Sequence, residues 1–172
     1  MGYSPFELDQ ALKSITILVD TREQDTPALH RRLSGLGCAY RRQKLDSGDY
    51  GAEYTDCDGQ RVTLPVVVER KMALDELCSC FTHGRERFKR EFERATEAGS
   101  KIYLLVENAS WENAFAGKYR SKFNPEALIA SVLAWSIRYG FQVFFCKPES
   151  TGKLIYKIMR YELKERLENG GG

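Results

Sequence analysis

Residues 66–71 read Val-Val-Val-Glu-Arg-Lys, an apolar run that leads directly into three charged residues. A run that is apolar on both faces is typical of a central strand, here expected over residues 61–69. Side chains alternate along a strand, so Glu69 and Lys71 should point to one face and Arg70 to the other. A carboxylate beside an ammonium is costly to bury without purpose. The stretch therefore predicts a functional site where a central strand ends.

Further acidic residues lie at the ends of neighbouring predicted elements. Asp49 is in a predicted strand, 49–55, that forms a hairpin with strand 61–69 around the turn 56–59. Asp20 follows the apolar strand 15–19, and Glu23 lies in the turn after it. Converging carboxylates repel one another unless a cation neutralises them, and oxygen ligands of this type suit Mg²⁺ or Mn²⁺. These acids therefore indicate a candidate metal site.

Acids beside a lysine suggest one kind of chemistry. A bound divalent metal polarises a phosphate and generates hydroxide from its water. Lys71 could then orient the attacking water and stabilise the charge that develops on the phosphate. The alternative is that Glu-Arg-Lys is only a common surface tripeptide, but the valines before it disfavour a solvated loop. The pattern favours metal-assisted phosphodiester hydrolysis.

Strands alternate with helices along most of the chain. The periodicity predicts helices at 27–36, 72–81, 85–98, 125–139 and 150–167, with further strands at 39–45, 101–107 and 141–146. The second to fourth strands (39–45, 49–55 and 61–69) are expected to form a meander. The predicted fold class is α/β, with a mixed central sheet and helices on both faces.

Composition excludes several classes of protein. The chain has 172 residues, of which 42% are hydrophobic and 29% charged, as in an ordinary globular domain. No stretch reaches the roughly 18 apolar residues that a membrane-spanning helix needs. Residues 1–10 lack the features of a secretory signal. The five cysteines form no CxxC pair, which favours free thiols over a zinc site. We expect an intracellular protein, cytoplasmic in a prokaryote or phage and nuclear in a eukaryote.

Basic residues are clustered although the net charge is only +2. One cluster spans residues 83–94 and includes His83, Arg85, Arg87 and Lys89. Local basic patches bind phosphates even where acidic surface elsewhere cancels the total charge. The alternative, a solvated helix face of mixed charge, is common, and His83 fits an exposed turn. Charge alone leaves both interpretations open.

Two of these segments resemble a known family. Gly48-Asp49, followed by Glu69-Arg70-Lys71-x-x-x-Asp75, is similar to the GD…ERKxxxD signature of XPF-type structure-specific endonucleases. Residues 19–23, Val-Asp-Thr-Arg-Glu, look like the first-strand motif of that family. The resemblance covers about residues 15–165. It implies a restriction-endonuclease-like core and Mg²⁺-dependent cleavage of branched DNA near single-strand/duplex junctions, with Mn²⁺ able to substitute.

The resemblance also implies roles for individual residues. Asp49 and Glu69 would be metal ligands, and Asp20 would support them directly or through water. Lys71 would act beside the attacking water, and Glu23 would be a supporting acid. Arg70 and Asp75 would complete the catalytic group by holding the site or contacting DNA, and for Arg70 we expect a scaffolding ion pair. The expected DNA-binding residues are Arg22, His83, Arg85, Arg87 and Lys89.

The expected organisation is a lead-in at 1–14, the nuclease domain at 15–167 and a flexible tail at 168–172. Members of the family usually continue into helix-hairpin-helix repeats, and this sequence ends near the expected end of the nuclease domain. Branched DNA is the expected partner. A homodimer or heterodimer could form through the helices of residues 125–160. Two alternatives stay open: a non-catalytic DNA-binding scaffold of another nuclease, and a nuclease of the same core with a different nucleic-acid substrate.

Overall fold

The predicted strand segments belong to one seven-stranded sheet in the computed structural model, which describes residues 2–170. The strands are β1 (Thr16–Val19), β2 (Ala39–Arg42), β3 (Tyr50–Thr55), β4 (Arg61–Thr63), β5 (Val66–Lys71), β6 (Lys101–Glu107) and β7 (Gln142–Cys146). The helices are α1 (Pro5–Lys13), α2 (Pro27–Ser34), α3 (Leu74–Phe81), α4 (Arg85–Glu97), α5 (Trp111–Phe115), α6 (Pro125–Tyr139) and α7 (Pro148–Glu168).

The sheet is mixed and has the order β2-β1-β3-β5-β6-β7, with β4 paired to β3. Strands β5, β6 and β7 run parallel to one another. Strand β3 is antiparallel to both β1 and β5. The strand that carries Glu69 and Lys71 therefore lies inside the sheet, between β3 and β6, as the apolar run before it predicts. The predicted mixed α/β architecture is confirmed.

The predicted meander is wrong at its first step. Strand β2 pairs with β1 in parallel, with Ala39 opposite Thr16, and β1 separates it from β3. Helix α2 connects β1 to β2, and a helical crossover is what returns a chain to a parallel neighbour. The later steps are antiparallel, as expected, because β3 pairs with both β4 and β5. The predicted strand 61–69 is divided at Leu64-Pro65, since proline has no N–H to donate to a ladder.

Helices cover both faces of the sheet and bury two apolar cores. Helices α1, α2 and α7 pack on one face, and α3, α4, α5 and α6 pack on the other. The first core includes Ile17, Leu33, Val68, Leu105 and Ile155. The second core includes Leu77, Phe92, Leu104, Leu128 and Trp135. Alternation along β5 therefore turns Arg70 toward the α2 and α7 side and turns Glu69 and Lys71 toward the α3 and α4 side.

The N-terminal segment contains a helix that the sequence analysis did not assign. Ser4 caps α1: its hydroxyl accepts from the Glu7 amide at 3.2 Å, and the Glu7 carboxylate accepts from the Ser4 amide at 2.8 Å. The helix buries Ala11 and Leu12. At the other end of the chain α7 reaches Glu168, and residues 171 and 172 of the expected flexible tail lie outside the described residues. The domain limits at 14/15 and 167/168 stay predictions.

Within residues 2–170, no helix combines the length and the apolar character that crossing a membrane requires.

Candidate active site

An open cleft of about 420 Å³ lies where β5 ends. Strand β5 contributes Glu69, Arg70 and Lys71 to its lining, and the residues before β3 contribute Gly48 and Asp49. Arg22 and Glu23, from the segment after β1, line it as well. Helices α3 and α4 close the opposite side. Four separate parts of the chain therefore meet at the place that the Val66–Lys71 stretch predicts.

The side chains of Glu69 and Lys71 lie together, as alternation along β5 requires. The Lys71 Nζ is 2.9 Å from the Glu69 Oε1, and both side chains are almost buried. The same ammonium lies 5.0 Å from the centre of the Phe88 ring on α4. Burial lowers the pKa of Lys71, but the Glu69 carboxylate outweighs it and leaves that pKa above its ordinary value. Lys71 is therefore a charged donor at neutral pH.

Asp49 is fixed by three backbone hydrogen bonds. Its amide donates to the Val68 carbonyl at 2.9 Å, and its carbonyl accepts from the Asp20 amide at 2.9 Å. Its carboxylate Oδ2 accepts from the Arg70 amide at 2.8 Å. Gly48 before it has a φ of +73°, and a Cβ at that position would lie 2.8 Å from the Val67 Cβ. The Gly-Asp pair thus allows the chain to press against β5 with the carboxylate facing the cleft.

Burial and neighbouring acids raise the cost of ionising both Asp49 and Glu69. Burial, followed by the charges of Glu69 and Glu23, raises the pKa of Asp49 well above its ordinary value. Burial also raises the pKa of Glu69, although Lys71 partly offsets the effect. Two carboxylates in one shielded place favour a bound cation, which removes both penalties. No group of three or more histidine, cysteine or acidic side chains is arranged to hold a metal among residues 2–170.

Asp20 is buried but does not line the cleft, because Arg22 occupies its carboxylate. The Arg22 amide donates to Asp20 Oδ1 at 2.9 Å, and the Arg22 guanidinium donates to Oδ2 at 2.6 and 3.1 Å. Burial opposes the ionisation of Asp20, but these bonds outweigh it and hold its pKa below the ordinary value. Asp20 thus fixes Arg22, whose guanidinium faces the cleft 3.8 Å from Glu91.

Arg70 points away from Lys71 and forms the expected ion pair. Its Nε and Nη2 both donate to the Glu107 carboxylate, each at 2.8 Å. Glu107 also accepts from the Thr151 hydroxyl at 2.7 Å and lies 3.8 Å from the Arg32 guanidinium. Only 3% of Glu107 is exposed, so this cluster forms a buried support beneath the cleft. The sequence predicted an ion pair for Arg70 but identified neither Glu107 nor Thr151 as members of this cluster.

The buried support continues to Glu23. The Arg32 guanidinium donates to the Tyr50 hydroxyl at 2.8 Å and to the Glu23 carboxylate at 3.3 Å. The Tyr50 hydroxyl donates in turn to the same Glu23 oxygen at 3.2 Å. Arg32 is 6% exposed and Tyr50 is fully buried, so neither reaches solvent. Together they hold the carboxylate of the expected supporting acid at the edge of the cleft.

Asp75 does not line the cleft. Its Oδ1 accepts from the backbone amides of Arg120 and Ser121, at 2.8 and 2.7 Å, in the segment between α5 and α6. The next residue, Glu76, faces the cleft instead. On α3, the cleft side and the side that holds Asp75 are thus different faces of the helix. The expected catalytic or DNA-contacting role of Asp75 stays a prediction, and its carboxylate is committed to the backbone of a loop.

The expected DNA-binding residues divide into two groups. Arg22, His83 and Arg87 line the cleft. Arg85 and Lys89 do not: the Arg85 guanidinium lies 5.1 Å from the centre of the Trp135 ring, and Lys89 lies 3.8 Å from Glu93. Their DNA-binding role stays a prediction.

Two acidic residues of the cleft were missed by the sequence analysis. Glu91 on α4 lies 3.8 Å from Arg22 and accepts a hydrogen bond from Arg94. Glu76 on α3 lies 4.0 Å from Lys71 and accepts from the Met72 amide at 2.7 Å. Both lie on helices, where acidic residues are common on solvated faces, so the local pattern offers no signal.

Comparison with known proteins identifies a matching family and similar solved structures. The family model described as the ERCC4 domain matches residues 19–158. Among solved structures, "XPF from Aeropyrum pernix" is similar with a TM-score of 0.61 and 24% identity, over 85% of this chain and 60% of that one. "XPF from Aeropyrum pernix, complex with DNA" gives a TM-score of 0.60 and 24% identity, over 88% of this chain and 66% of that one. The chain thus spans about two thirds or less of the length of these XPF chains.

No match was found among curated protein sequences. The shared fold confirms the predicted restriction-endonuclease-like α/β core and the resemblance to XPF-type nuclease domains. The family model covers most of the sequence and not only the two short motifs. The chain therefore belongs to the ERCC4 domain family.

Proposed function

We propose that this protein is a Mg²⁺-dependent endodeoxyribonuclease that cleaves branched DNA near junctions of single-stranded and duplex segments. The observation that carries the proposal is that two partly buried carboxylates, Asp49 and Glu69, lie in one open cleft with the charged Lys71. Charged side chains are costly to bury for a purely structural purpose. Carboxylates with a shifted pKa in a cleft are typical of functional sites.

The residues fit a magnesium ion. Burial and neighbouring acids raise the pKa of both Asp49 and Glu69, and a divalent cation relieves this penalty on their charges. Mg²⁺ keeps several of its waters and is commonly held by only one or two carboxylates, so the lack of a third direct protein ligand is no obstacle. We assign Asp49 and Glu69 as the residues that would hold the metal, with Glu23 as a supporting acid at the cleft edge and Asp20 supporting through Arg22. When bound, the metal would polarise the phosphate and lower the pKa of a water. Mn²⁺ should substitute.

The surrounding residues have separate roles in this proposal. Lys71 donates to the attacking water and stabilises the negative charge that develops on the phosphate. Arg70 fixes Asp49 through its amide and β5 through Glu107. Arg22, His83 and Arg87 face the cleft as cations or donors for neighbouring phosphates.

Two features support DNA as the substrate. A solved XPF relative of the same fold is described as a complex with DNA. The cleft is open to solvent and is lined by Arg22 and Arg87 as well as by acids, so a phosphate backbone would meet cations there. The preference for branched forms rests on the family resemblance.

We further propose that two such domains associate, as a homodimer or a heterodimer, through α6 and the edge strand β7. Helix α6 leaves Leu133 46% and Ile137 83% exposed, and Phe115 on α5 is 66% exposed. Strand β7 has an unpaired outer edge and no proline or lysine to protect it. Exposed large apolar side chains and a free sheet edge are each typical of an interface.

The test of the proposed function is cleavage of labelled DNA by the purified protein in Mg²⁺, Mn²⁺ or chelator. The substrates are single-stranded, duplex, splayed-arm and 3′-flap DNA, with an RNA hairpin as the comparison. We expect cutting of the branched DNAs near the junction, dependent on metal. Binding without cutting in either metal would indicate a scaffold, and preferential cutting of plain duplex or RNA would indicate a different nuclease.

A further inference from the structure

The segment between α5 and α6 carries cations at every second position. This basic loop, residues 117–122, reads Gly-Lys-Tyr-Arg-Ser-Lys. Lys118, Arg120 and Lys122 are exposed, whereas the two residues between them are partly buried. The alternation directs all three charges to solvent and turns the intervening side chains toward the protein. Such an arrangement presents one positive face.

Within residues 2–170 the three cations have no acidic partner. No side chain of Lys118, Arg120 or Lys122 forms an ion pair in the part of the chain that the structure describes. Two of the cations on α4 differ, since Arg94 pairs with Glu91 and Lys89 lies close to Glu93. A solvated face of mixed charge neutralises itself in this way. The basic loop does not, so its charge is available to an anionic partner.

The basic loop is ordered by contacts to the rest of the protein. Asp75 accepts from two consecutive amides of the loop, those of Arg120 and Ser121. The Lys118 amide donates to the Asn113 carbonyl at 2.9 Å, and the Tyr119 hydroxyl donates to the Phe123 carbonyl at 2.7 Å. The carboxylate of Asp75 thus fixes the conformation that carries the cations. A preformed cationic surface loses less entropy on binding than a mobile one.

The loop lies near the cleft but is separate from it. Helix α3 begins three residues after β5 and has the cleft on one face, through Glu76 and Cys80. Asp75 turns to a different face of the same helix and holds the loop there. The basic loop is therefore attached to the same helix that borders the cleft.

We propose that the basic loop binds the phosphate backbone of the DNA strand that leaves the cleft, and that Asp75 is the positioning residue for this surface. The proposal rests on the proposed nuclease function and adds a second contact area to it. Evenly distributed cations suit a polyanion with regularly repeated charge. Contacts of this kind fix the register and direction of the strand without reading sequence. Asp75 then acts on substrate binding through the loop.

The first test measures binding of a fluorescein-labelled splayed-arm DNA by anisotropy, in chelator so that no cleavage occurs. The variant K118Q/R120Q/K122Q should bind roughly tenfold more weakly at about 0.1 M salt. Its plot of log affinity against log salt should be shallower by about 2 to 3, one for each lost phosphate contact. The matched control is K153Q/K157Q/R160Q, which removes three unpaired cations from α7. It should bind as the wild type does.

The second test separates positioning from catalysis by Asp75. Asp75→Ala removes the acceptor of both amides, so it should raise the apparent KM as the triple variant does, with kcat at saturating DNA lowered less than about twofold. Asp75→Asn keeps an oxygen at the same position and should restore the affinity. A loss of kcat in Asp75→Asn as large as that in Asp49→Asn would place Asp75 in the chemistry and overturn the positioning role.

The outcomes separate the two proposals. Equal affinity and equal salt dependence of the wild type and K118Q/R120Q/K122Q would overturn the loop surface, whether or not the protein cleaves. A wild type that binds but does not cleave would overturn the nuclease function, while the affinity comparison would still decide the loop. A wild type that binds no DNA would overturn both.

Discussion

The carboxylate of Glu107 accepts two hydrogen bonds of 2.8 Å from the guanidinium of Arg70, across 37 positions of the chain. The pair joins the ends of two neighbouring parallel strands, β5 and β6, directly beneath the cleft. Arg32 also lies 3.8 Å from Glu107, so this carboxylate neutralises Arg70 and contributes to neutralising the buried Arg32. The position of Arg70, and with it the amide that holds Asp49, depends on this carboxylate.

Glu107→Gln should therefore be strongly destabilising. The substitution keeps the shape of the side chain but leaves Arg70 without its anion and Arg32 with Glu23 alone. Breaking a buried ion pair from one side costs roughly 3 to 5 kcal/mol. Urea denaturation at neutral pH measures the loss. Glu97→Gln, at an exposed position of α4, is the control and should change stability by less than about 0.5 kcal/mol. Equal stability of the two variants would show that the Glu107 cluster is not a support.

Glu162 predicts a dependence of stability on pH. Burial raises the pKa of Glu162, but hydrogen bonds from Lys101 and Tyr103 and the charge of Arg166 outweigh it and leave the pKa below its ordinary value. A depressed pKa contributes stability above the unfolded value of about 4.3, and this contribution is lost as pH falls through the folded value. Wild type should thus exceed Glu162→Gln in stability at pH 7, with the gap closing below about pH 4. A stability difference between the two proteins that widens as the pH falls would show that ionised Glu162 does not stabilise the folded state.

Gly48 and Gly59 form a matched pair for the Gly-Asp motif. Both have positive φ, +73° and +77°, but a Cβ at Gly48 would lie 2.8 Å from the Val67 Cβ, whereas nothing lies within 4 Å at Gly59. Gly59→Ala should cost only the backbone strain, roughly 1 kcal/mol. Gly48→Ala adds a clash with β5 and should cost at least about 1 kcal/mol more by urea denaturation. Similar losses of stability in the two variants would mean that the close approach to β5 is not the reason for a glycine at position 48.

The proposed association should respond to charge on α6. Ile137→Glu places a carboxylate at a position that is 83% exposed, so the monomer should fold normally. If α6 forms the interface, this carboxylate is buried unpaired, and the dimer should dissociate in sedimentation-velocity experiments. Glu126→Lys near the start of the same helix is the control and should leave the mass unchanged. A monomeric wild type at all concentrations would contradict the homodimer, and mixing with a candidate partner would then test the heterodimer.

Local patterns predicted the centre of the sheet and most of the cleft. The valines before Glu69 mark a central strand, and alternation alone separates Lys71 from Arg70, as the structure confirms. The place of β2 could not be predicted in this way, because its partner depends on the path of the chain over α2. A signal for α1 was present: Ser4 and Glu7 have the spacing of a capping box.

The remaining parts of the site depend on contacts between distant segments. Glu107 is simply the last residue of an apolar strand, and nothing nearby in sequence identifies Arg70 as its partner. Asp75 lies one position before Glu76, yet only Glu76 faces the cleft. On a helix, one position is a rotation of about 100°, so a spacing that defines a motif does not define which face a residue occupies.

The most direct test of the central claim compares Asp49→Asn and Glu69→Gln with the wild type on one branched DNA, measuring binding and cleavage in Mg²⁺. Both variants keep the size of the side chain but remove one of the two carboxylates assigned to the metal. We expect cleavage to fall at least about a hundredfold in each, with DNA affinity retained or increased because negative charge is removed. Full cleavage by either variant, at equal folding stability, would contradict the assignment of this cleft as the active site.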